Sequence, residues 1–262
     1  MKFISTLLLC SLFFSASSQQ WKLISAYSLG LPKQDMGKNI QPAHSLEAGI
    51  LYQLPGRLKQ LGVGLEAGIG SYASKRIDQT FQFNNNLASV VPVNYNSNTF
   101  NVNLQARFNL LPDKYKVIPY VNAKGGLYSF FSNIYIDDPY DADGCHALQQ
   151  ENIINDKTMY WSAGGGVQVD PAIFSPKRKH RGNVLIDISA NTIHGGTLNY
   201  INTKHLQDEQ TQPVTDPKSK PLNVQFINAS TQEIHEHKVA QVYTSPLRLL
   251  EFRAGVTVLL GK

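Results

Sequence analysis

Charge is scarce in this chain. Only 16% of its 262 residues are Asp, Glu, Lys or Arg, against roughly a quarter in an ordinary soluble domain. Long hydrophobic runs are scarce too. Past Phe14 no stretch of the sequence approaches the ~20 apolar residues that a spanning helix needs, and a mean hydropathy of −0.23 excludes a multi-span helical membrane protein. Cysteine is limited to Cys10 and Cys145, too few for a disulfide scaffold. The excess lies in Asn, Gln, Ser, Gly and Tyr, which suit strands and loops better than helices.

Lys2, the uncharged run Phe3 to Phe14 and the small residues Ala16 and Ser18 predict a secretory leader over 1–18, cleaved before Gln19. Cys10 lies inside the apolar run, behind Leu9 and without a lipobox, which argues against lipid attachment. Cleavage removes Lys2 and Cys10. It lowers the formal net charge of +5 by one and leaves Cys145 alone, so no internal disulfide can brace the exported domain, residues 19–262.

Strict alternation then decides the fold class. In Thr99 to Leu110 one parity is Phe100, Val102, Leu104, Ala106, Phe108 and Leu110, and the other is Asn101, Asn103, Gln105, Arg107 and Asn109. Such a period of two marks a strand with one apolar and one polar face. The same pattern recurs in Leu61 to Tyr72, His44 to Leu54, Asn183 to Thr192 and Leu250 to Leu260. With three less regular segments it gives eight strands, at about 21–31, 44–54, 61–72, 99–110, 117–131, 158–170, 183–192 and 247–260. These are of membrane-spanning length, since a transmembrane β-strand needs about 9 to 11 residues. Their connections alternate long and short: 32–43, 55–60, 73–98, 111–116, 132–157, 171–182 and 193–246. That asymmetry fits an antiparallel up-and-down transmembrane β-barrel with short periplasmic turns and long extracellular loops. A soluble eight-stranded barrel would turn its apolar parity inward. The unbroken apolar parity, the glycine-rich polar parity and the aromatics near strand ends (Trp21, Tyr72, Phe100, Phe108, Tyr128, Phe131, Tyr160, Trp161) favour the membrane form.

The segments IPYVNAKGGLYS (Ile118 to Ser129), YWSAGGGVQVD (Tyr160 to Asp170) and FRAGVTVLL (Phe252 to Leu260) resemble the eight-stranded outer-membrane β-barrel family common in Bacteroidota. They are similar to the small barrels related to the transmembrane domain of OmpA and to OmpW. The resemblance implies an all-β barrel in the outer membrane. One departure is the ending Leu260, Gly261, Lys262, which lacks a terminal aromatic.

With the apolar parity toward lipid, Glu47, Glu66, Arg107, Lys124, Asp187, Glu251 and Arg253 face the lumen. An eight-stranded interior is just wide enough for side chains to fill, and isolated buried charges are too costly to persist. The expectation is a paired charge core that plugs the barrel; the alternative is an ion path or a gated pore. Function then belongs to the loops. Within 193–246, Leu222 to Ala229 and His237 to Tyr243 alternate around Ser230 to Glu236, which predicts a β-hairpin projecting above the membrane.

Other candidates are weaker. Asp141, Asp143 and Gly144 resemble a calcium loop, but Pro139 and Gln150 stand where ligands are needed. His235 and His237 could chelate a metal, with no third ligand identifiable. The sequence gives no ground for a cofactor. Lys177, Arg178, Lys179, His180 and Arg181 form a basic turn expected at the periplasmic rim, facing anionic head groups or a protein partner. The secretory leader makes nucleic acid an improbable partner. His194 and Ser245 fall near the outer rim, where some small outer-membrane barrels carry a lipid A-modifying Ser and His; without an orienting acid they make no dyad. The expected function is a non-enzymatic outer-membrane barrel with a structural or interaction role, as a subunit of an envelope complex among others. The runner-up is a small-solute channel.

Overall fold

The computed structural model describes residues 21–82, 88–137, 147–174, 182–206, 219–227 and 234–260. The expected leader at 1–18, the basic turn Lys177 to Arg181, the acidic loop with Asp141, Asp143 and Gly144, and the His235 side chain lie outside the described residues. Nine strands are found among those described: β1 (Trp21–Pro32), β2 (Ala43–Gln53), β3 (Leu61–Gln82), β4 (Ala88–Asn109), β5 (Val117–Asp137), β6 (Ala147–Val169), β7 (Val184–Ile201), β8 (Ser219–Ile227) and β9 (Ile234–Leu259). A short helix, α1 (Gln34–Asn39), joins β1 to β2.

Strands β1 to β7 pair in sequence order, β7 pairs with β9, and β9 returns to β1. Every pairing is antiparallel, so eight strands close an up-and-down barrel. Strand β8 stands outside this ring and pairs with the upper part of β9, from Ser219 opposite Tyr243 to Ile227 opposite Ile234.

The lower half of the barrel is turned inside out relative to a soluble protein. In β4, Leu104 is 67% exposed and Arg107 only 1%; Phe100, Val102 and Phe108 face out while Asn101, Asn103 and Gln105 are buried. The other strands continue this belt with Leu46, Val63, Leu65, Ile69, Val121, Ile188 and Val256. A wall that is apolar outside and polar inside is stable in lipid, where the closed ladder satisfies every backbone group.

Above the belt the same strands reverse the pattern. On β4 and β5 the inward positions become Val93, Tyr95, Phe130, Ile134 and Ile136, all fully or almost fully buried. The neighbouring Asn94, Asn96 and Asn98 face outward, partly exposed. Within the β4–β5 pair the change needs no bulge, because its register runs unbroken from Val93 opposite Ile136 to Asn109 opposite Tyr120; the flanking β3–β4 and β5–β6 pairs shift register at this height, between Ser71 and Ala73 and between Ser132 and Asn133. The solvent changes from lipid to water, and the buried parity changes from polar to apolar with it.

Closure also ends at this level. Strand β6 pairs with β7 only between Tyr160 opposite Gly195 and Val169 opposite Ile186, and β1 and β2 stop at Pro32 and Ala43. The upper strands therefore form two sheets, β3–β4–β5–β6 and β7–β9–β8. Val93, Tyr95, Ile134, Ile136 and Ile154 of the first pack on Ile201, Val239 and Ala240 of the second, with Leu206 just past β7. Tyr95 Oη donates to the Val239 carbonyl oxygen at 2.7 Å between the sheets.

This sandwich corrects the expected loop map. The connections expected at 73–98 and 132–157 are largely strand, because β3 extends to Gln82, β4 starts at Ala88, β5 extends to Asp137 and β6 starts at Ala147. Strand β7 likewise runs to Ile201, and β9 runs from Ile234 through the expected start of the last strand at 247. The hairpin expected around Ser230 to Glu236 corresponds to β8 and the upper part of β9. The connection 32–43 contains α1, whose Met36 is buried in the barrel mouth together with Ile40 just beyond it.

Candidate functional site

All seven charges expected in the lumen are buried on the inward parity, and they divide into two networks. The lower one is neutral. Arg107 Nη1 on β4 donates to Asp187 Oδ2 on β7 at 2.7 Å, and Tyr120 Oη on β5 donates to Asp187 Oδ1 at 2.5 Å. Gln168 and Thr257 donate to Asp187 Oδ2 at 3.0 and 3.2 Å. The Arg107 guanidinium also lies 4.1 Å from the centroid of the Tyr120 ring, a cation–π contact.

The middle network gathers Glu47 on β2, Glu66 on β3, Lys124 on β5 and both Glu251 and Arg253 on β9. Lys124 Nζ lies 2.7 Å from Glu66, 3.5 Å from Glu251 and 3.9 Å from Glu47. Arg253 meets Glu66 at 2.5 Å and Glu47 at 2.6 Å, and Asn191 donates to Glu251 at 2.9 Å. Glu66 is the keystone, with each carboxylate oxygen hydrogen-bonded to a different cation. Glu47 is held less well: its Oε2 and Arg253 Nε are close but make no aligned hydrogen bond. Three acids and two bases leave this group one formal negative charge. Strands from opposite sides of the barrel contribute, so the network bridges the lumen instead of lining it.

Inward glycines make room for these side chains. A Cβ at Gly166 would lie 2.4 Å from the Ile188 carbonyl oxygen and 2.6 Å from Tyr120 Oη. Gly166→Val should thus displace Tyr120 from Asp187 and cost about 1–3 kcal/mol by overpacking, read as a lower urea midpoint of the refolded protein in detergent; an unchanged midpoint would show the lumen to be looser than this.

At and below the level of Lys124, both side-chain ends of Gln105 and Asn122, and Nε and Nη2 of Arg107, have no protein hydrogen-bond partner among the described residues. Buried polar groups of this kind are ordinarily satisfied by ordered water, which sets this level apart from the mouth. The mouth is dry. Tyr72, Tyr128, Phe130, Tyr160, Tyr200 and Leu247, from five strands around the ring, pack with Met36 and Ile40 from above. Aromatic edges interlock there, with Tyr128 against Tyr160 at 5.6 Å and Phe130 against Tyr200 at 6.4 Å. The strand-end aromatics of the sequence thus have two fates. Phe100, Phe108 and Trp161 face lipid, whereas Tyr72, Tyr128 and Tyr160 turn inward and stopper the barrel.

Residues that the sequence did not single out complete the lumen. Lys22 is buried at the base, 3.8 Å from Asp113 of a short turn, and Tyr120, Gln168, Asn191 and Thr257 tie the carboxylates down. Lys22 follows closely on the expected leader, and neutral polar residues on an inward parity carry no signal of their own. His194 and Ser245 are kept apart by the wall: His194 lies on the outer face against Trp161 and Arg248, while Ser245 is buried inside, 2.9 Å from Tyr200 Oη. Among the described residues no group of three or more His, Cys, Asp or Glu could hold a metal ion.

No family model matches the chain, and no curated protein does. Among solved structures the chain is similar to Neisserial surface protein A, at 11% identity over 92% of this chain and 96% of that one, with a TM-score of 0.40. It is also similar to a major outer membrane protein from Thermus thermophilus, at 12% identity over 91% and 98%, with a TM-score of 0.41. The N-terminal β-barrel domain of Pseudomonas aeruginosa OprF follows at 11% identity over 92% and 98%, with a TM-score of 0.32. The closed ring, the outward apolar belt and the paired lumen charges make the fold that of an eight-stranded outer-membrane β-barrel.

Proposed function

We propose that this chain is a non-enzymatic outer-membrane protein, exported through a leader at 1–18 and related to the small barrels of Bacteroidota. Its role is structural or interactive, exerted by the extracellular sandwich, as a subunit of an envelope complex among others. The basic turn Lys177 to Arg181 offers a second contact surface on the periplasmic side. One observation carries this reading: two charge networks and an apolar stopper succeed one another along the lumen, while the strands continue past the belt into a two-sheet body. A barrel filled in this way is a stand for what projects above it.

The placement of His194 and Ser245 on opposite sides of the wall argues against a catalytic pair between them. Lipid A mass spectra with and without the protein should accordingly be identical. In planar bilayers the purified protein should stay silent at high loading; discrete openings would replace the stand by the small-solute channel. Detergent pull-down from native membranes should then recover a stoichiometric partner that is lost when β8 and the part of β9 beyond its pairing with β7, residues 219–240, are replaced by a short linker that leaves the barrel strands in place.

A further inference from the structure

On the outer wall, where the apolar belt gives way to polar residues, one row of side chains crosses three adjacent strands. Trp161 on β6 pairs with His194 on β7, and His194 pairs with Arg248 on β9. The backbone N–H of Lys33, past the end of β1, donates to the Arg248 carbonyl oxygen at 2.9 Å and extends the row. The Trp161 and His194 rings stack at 4.6 Å with an interplanar angle of 21°, and the indole is 57% exposed. Arg248 Nη1 bonds to His194 Nδ1; a guanidinium only donates, so Nδ1 accepts and Nε2–H is left as a donor.

Three features of this row point to an anionic ligand. Neither Arg248 nor Lys33 has a carboxylate partner among the described residues, and Arg248 Nε is buried without a hydrogen bond. Below the row the wall is apolar, with Phe252 and Ile188 exposed; above it stand Thr197, Asn199 and Thr244. A ligand here meets acyl chains on one side and water on the other. The β7 register shifts between His194 and Thr197, across Gly195 and Gly196, so the regular outer face of β7 is interrupted just past His194.

We propose that Lys33, Trp161, His194 and Arg248 form a site on the lipid-facing wall for the phosphate of an outer-leaflet lipid headgroup. His194 holds Arg248 through Nη1, and the remaining Nη N–H groups of the guanidinium are free to donate to phosphate oxygens; Lys33 adds charge without directional demand, and the indole sits at headgroup depth as interfacial tryptophans do. The site deepens the outer-membrane reading and rests on it.

The chain has two tryptophans, so Trp21→Phe leaves Trp161 as the single reporter. That protein is placed in phosphatidylcholine nanodiscs carrying a minor fraction of lipid A, or of the same lipid A stripped of phosphate. Native mass spectrometry after detergent extraction should find the phosphorylated lipid retained about tenfold more than the stripped one, with a shift in Trp161 emission. The double variant Lys33→Gln, Arg248→Gln should lose both effects, and Arg248→Lys should retain an intermediate amount. Equal retention of the two lipids, or unchanged retention in the double variant, overturns the proposal. Inorganic phosphate added in detergent should leave Trp161 emission unchanged; the same shift from phosphate alone would assign the site to a free anion and overturn the lipid source. A heat-dependent electrophoretic shift of every variant reports the folded barrel separately. A folded, inserted protein that ignores the phosphate sinks only this site, whereas a protein that stays soluble without detergent sinks the membrane reading itself.

Discussion

Replacing Arg253 by methionine should lower the stability of the refolded protein by about 3–5 kcal/mol, whereas Glu47→Gln should change it by no more than about 1 kcal/mol. Both residues are buried and they touch each other, so proximity does not separate them. Their surroundings do. Arg253 is shared by Glu47 and Glu66, and its loss leaves Lys124 to balance three buried carboxylates. Breaking a buried pair from one side strands an uncompensated charge, which is the expensive direction. Glu47 is the surplus acid in a group of three acids and two bases, and its Oε2 makes no aligned hydrogen bond. An amide there leaves two acids facing two bases and keeps the shape. Glu66→Gln belongs with Arg253, because the amide can accept from only one of the two cations that Glu66 holds and turns an N–H₂ donor toward the other. The measurement is the urea midpoint of the barrel in detergent micelles, with the slope checked for constancy. Equal losses for Glu47→Gln and Arg253→Met would mean that the five charges act as one indivisible unit.

Ile134→Asp should produce a different failure, with the upper sandwich opened and the lower barrel intact. Ile134 is fully buried between the two sheets and packs in one cluster with Tyr95, Ile136 and Val239. An unpaired carboxylate there costs on the order of 4–5 kcal/mol or more. The sandwich core is the main junction of the sheets at this height, with a few hydrogen bonds such as Asn199 to Asp156 beside it, since β6 and β7 no longer pair above Tyr160 and Gly195. The lower ring has its own closure and its own charge networks, and the lipid around it gives its backbone no alternative partner. Limited proteolysis of the inserted variant should cut β3, β4, β5 and β6 above the belt and leave membrane-protected fragments that still shift on heating. Loss of the heat-dependent shift would show instead that barrel and sandwich fold as one cooperative unit.

The alternation in Thr99 to Leu110 is enough to read the belt, the inward charges and the eight-stranded ring. It works because each of those residues meets lipid or lumen by parity alone. The same rule fails a short way upstream. Val93 and Tyr95 alternate with Asn94 and Asn96 just as regularly, and the same parity is buried, but here it is the apolar one. A search for one continuing apolar face stops where the faces exchange, and the strand looks like a loop. The signal is present as an alternation whose phase inverts, and that inversion marks the edge of the membrane.

Other features have no counterpart along the chain. The seven lumen charges can be named from parity, but their division into a neutral pair and a group of five depends on barrel register, which brings Lys124 on β5 to Glu251 on β9. The row of Trp161, His194 and Arg248 likewise joins positions far apart in sequence, through pairings that exist only once the strands have closed. Local periodicity reports which side of a sheet a residue occupies, because that is set by the backbone at each position. Which strands face each other, where closure ends and which charges share the interior are set by long-range pairing, and those belong to the folded barrel.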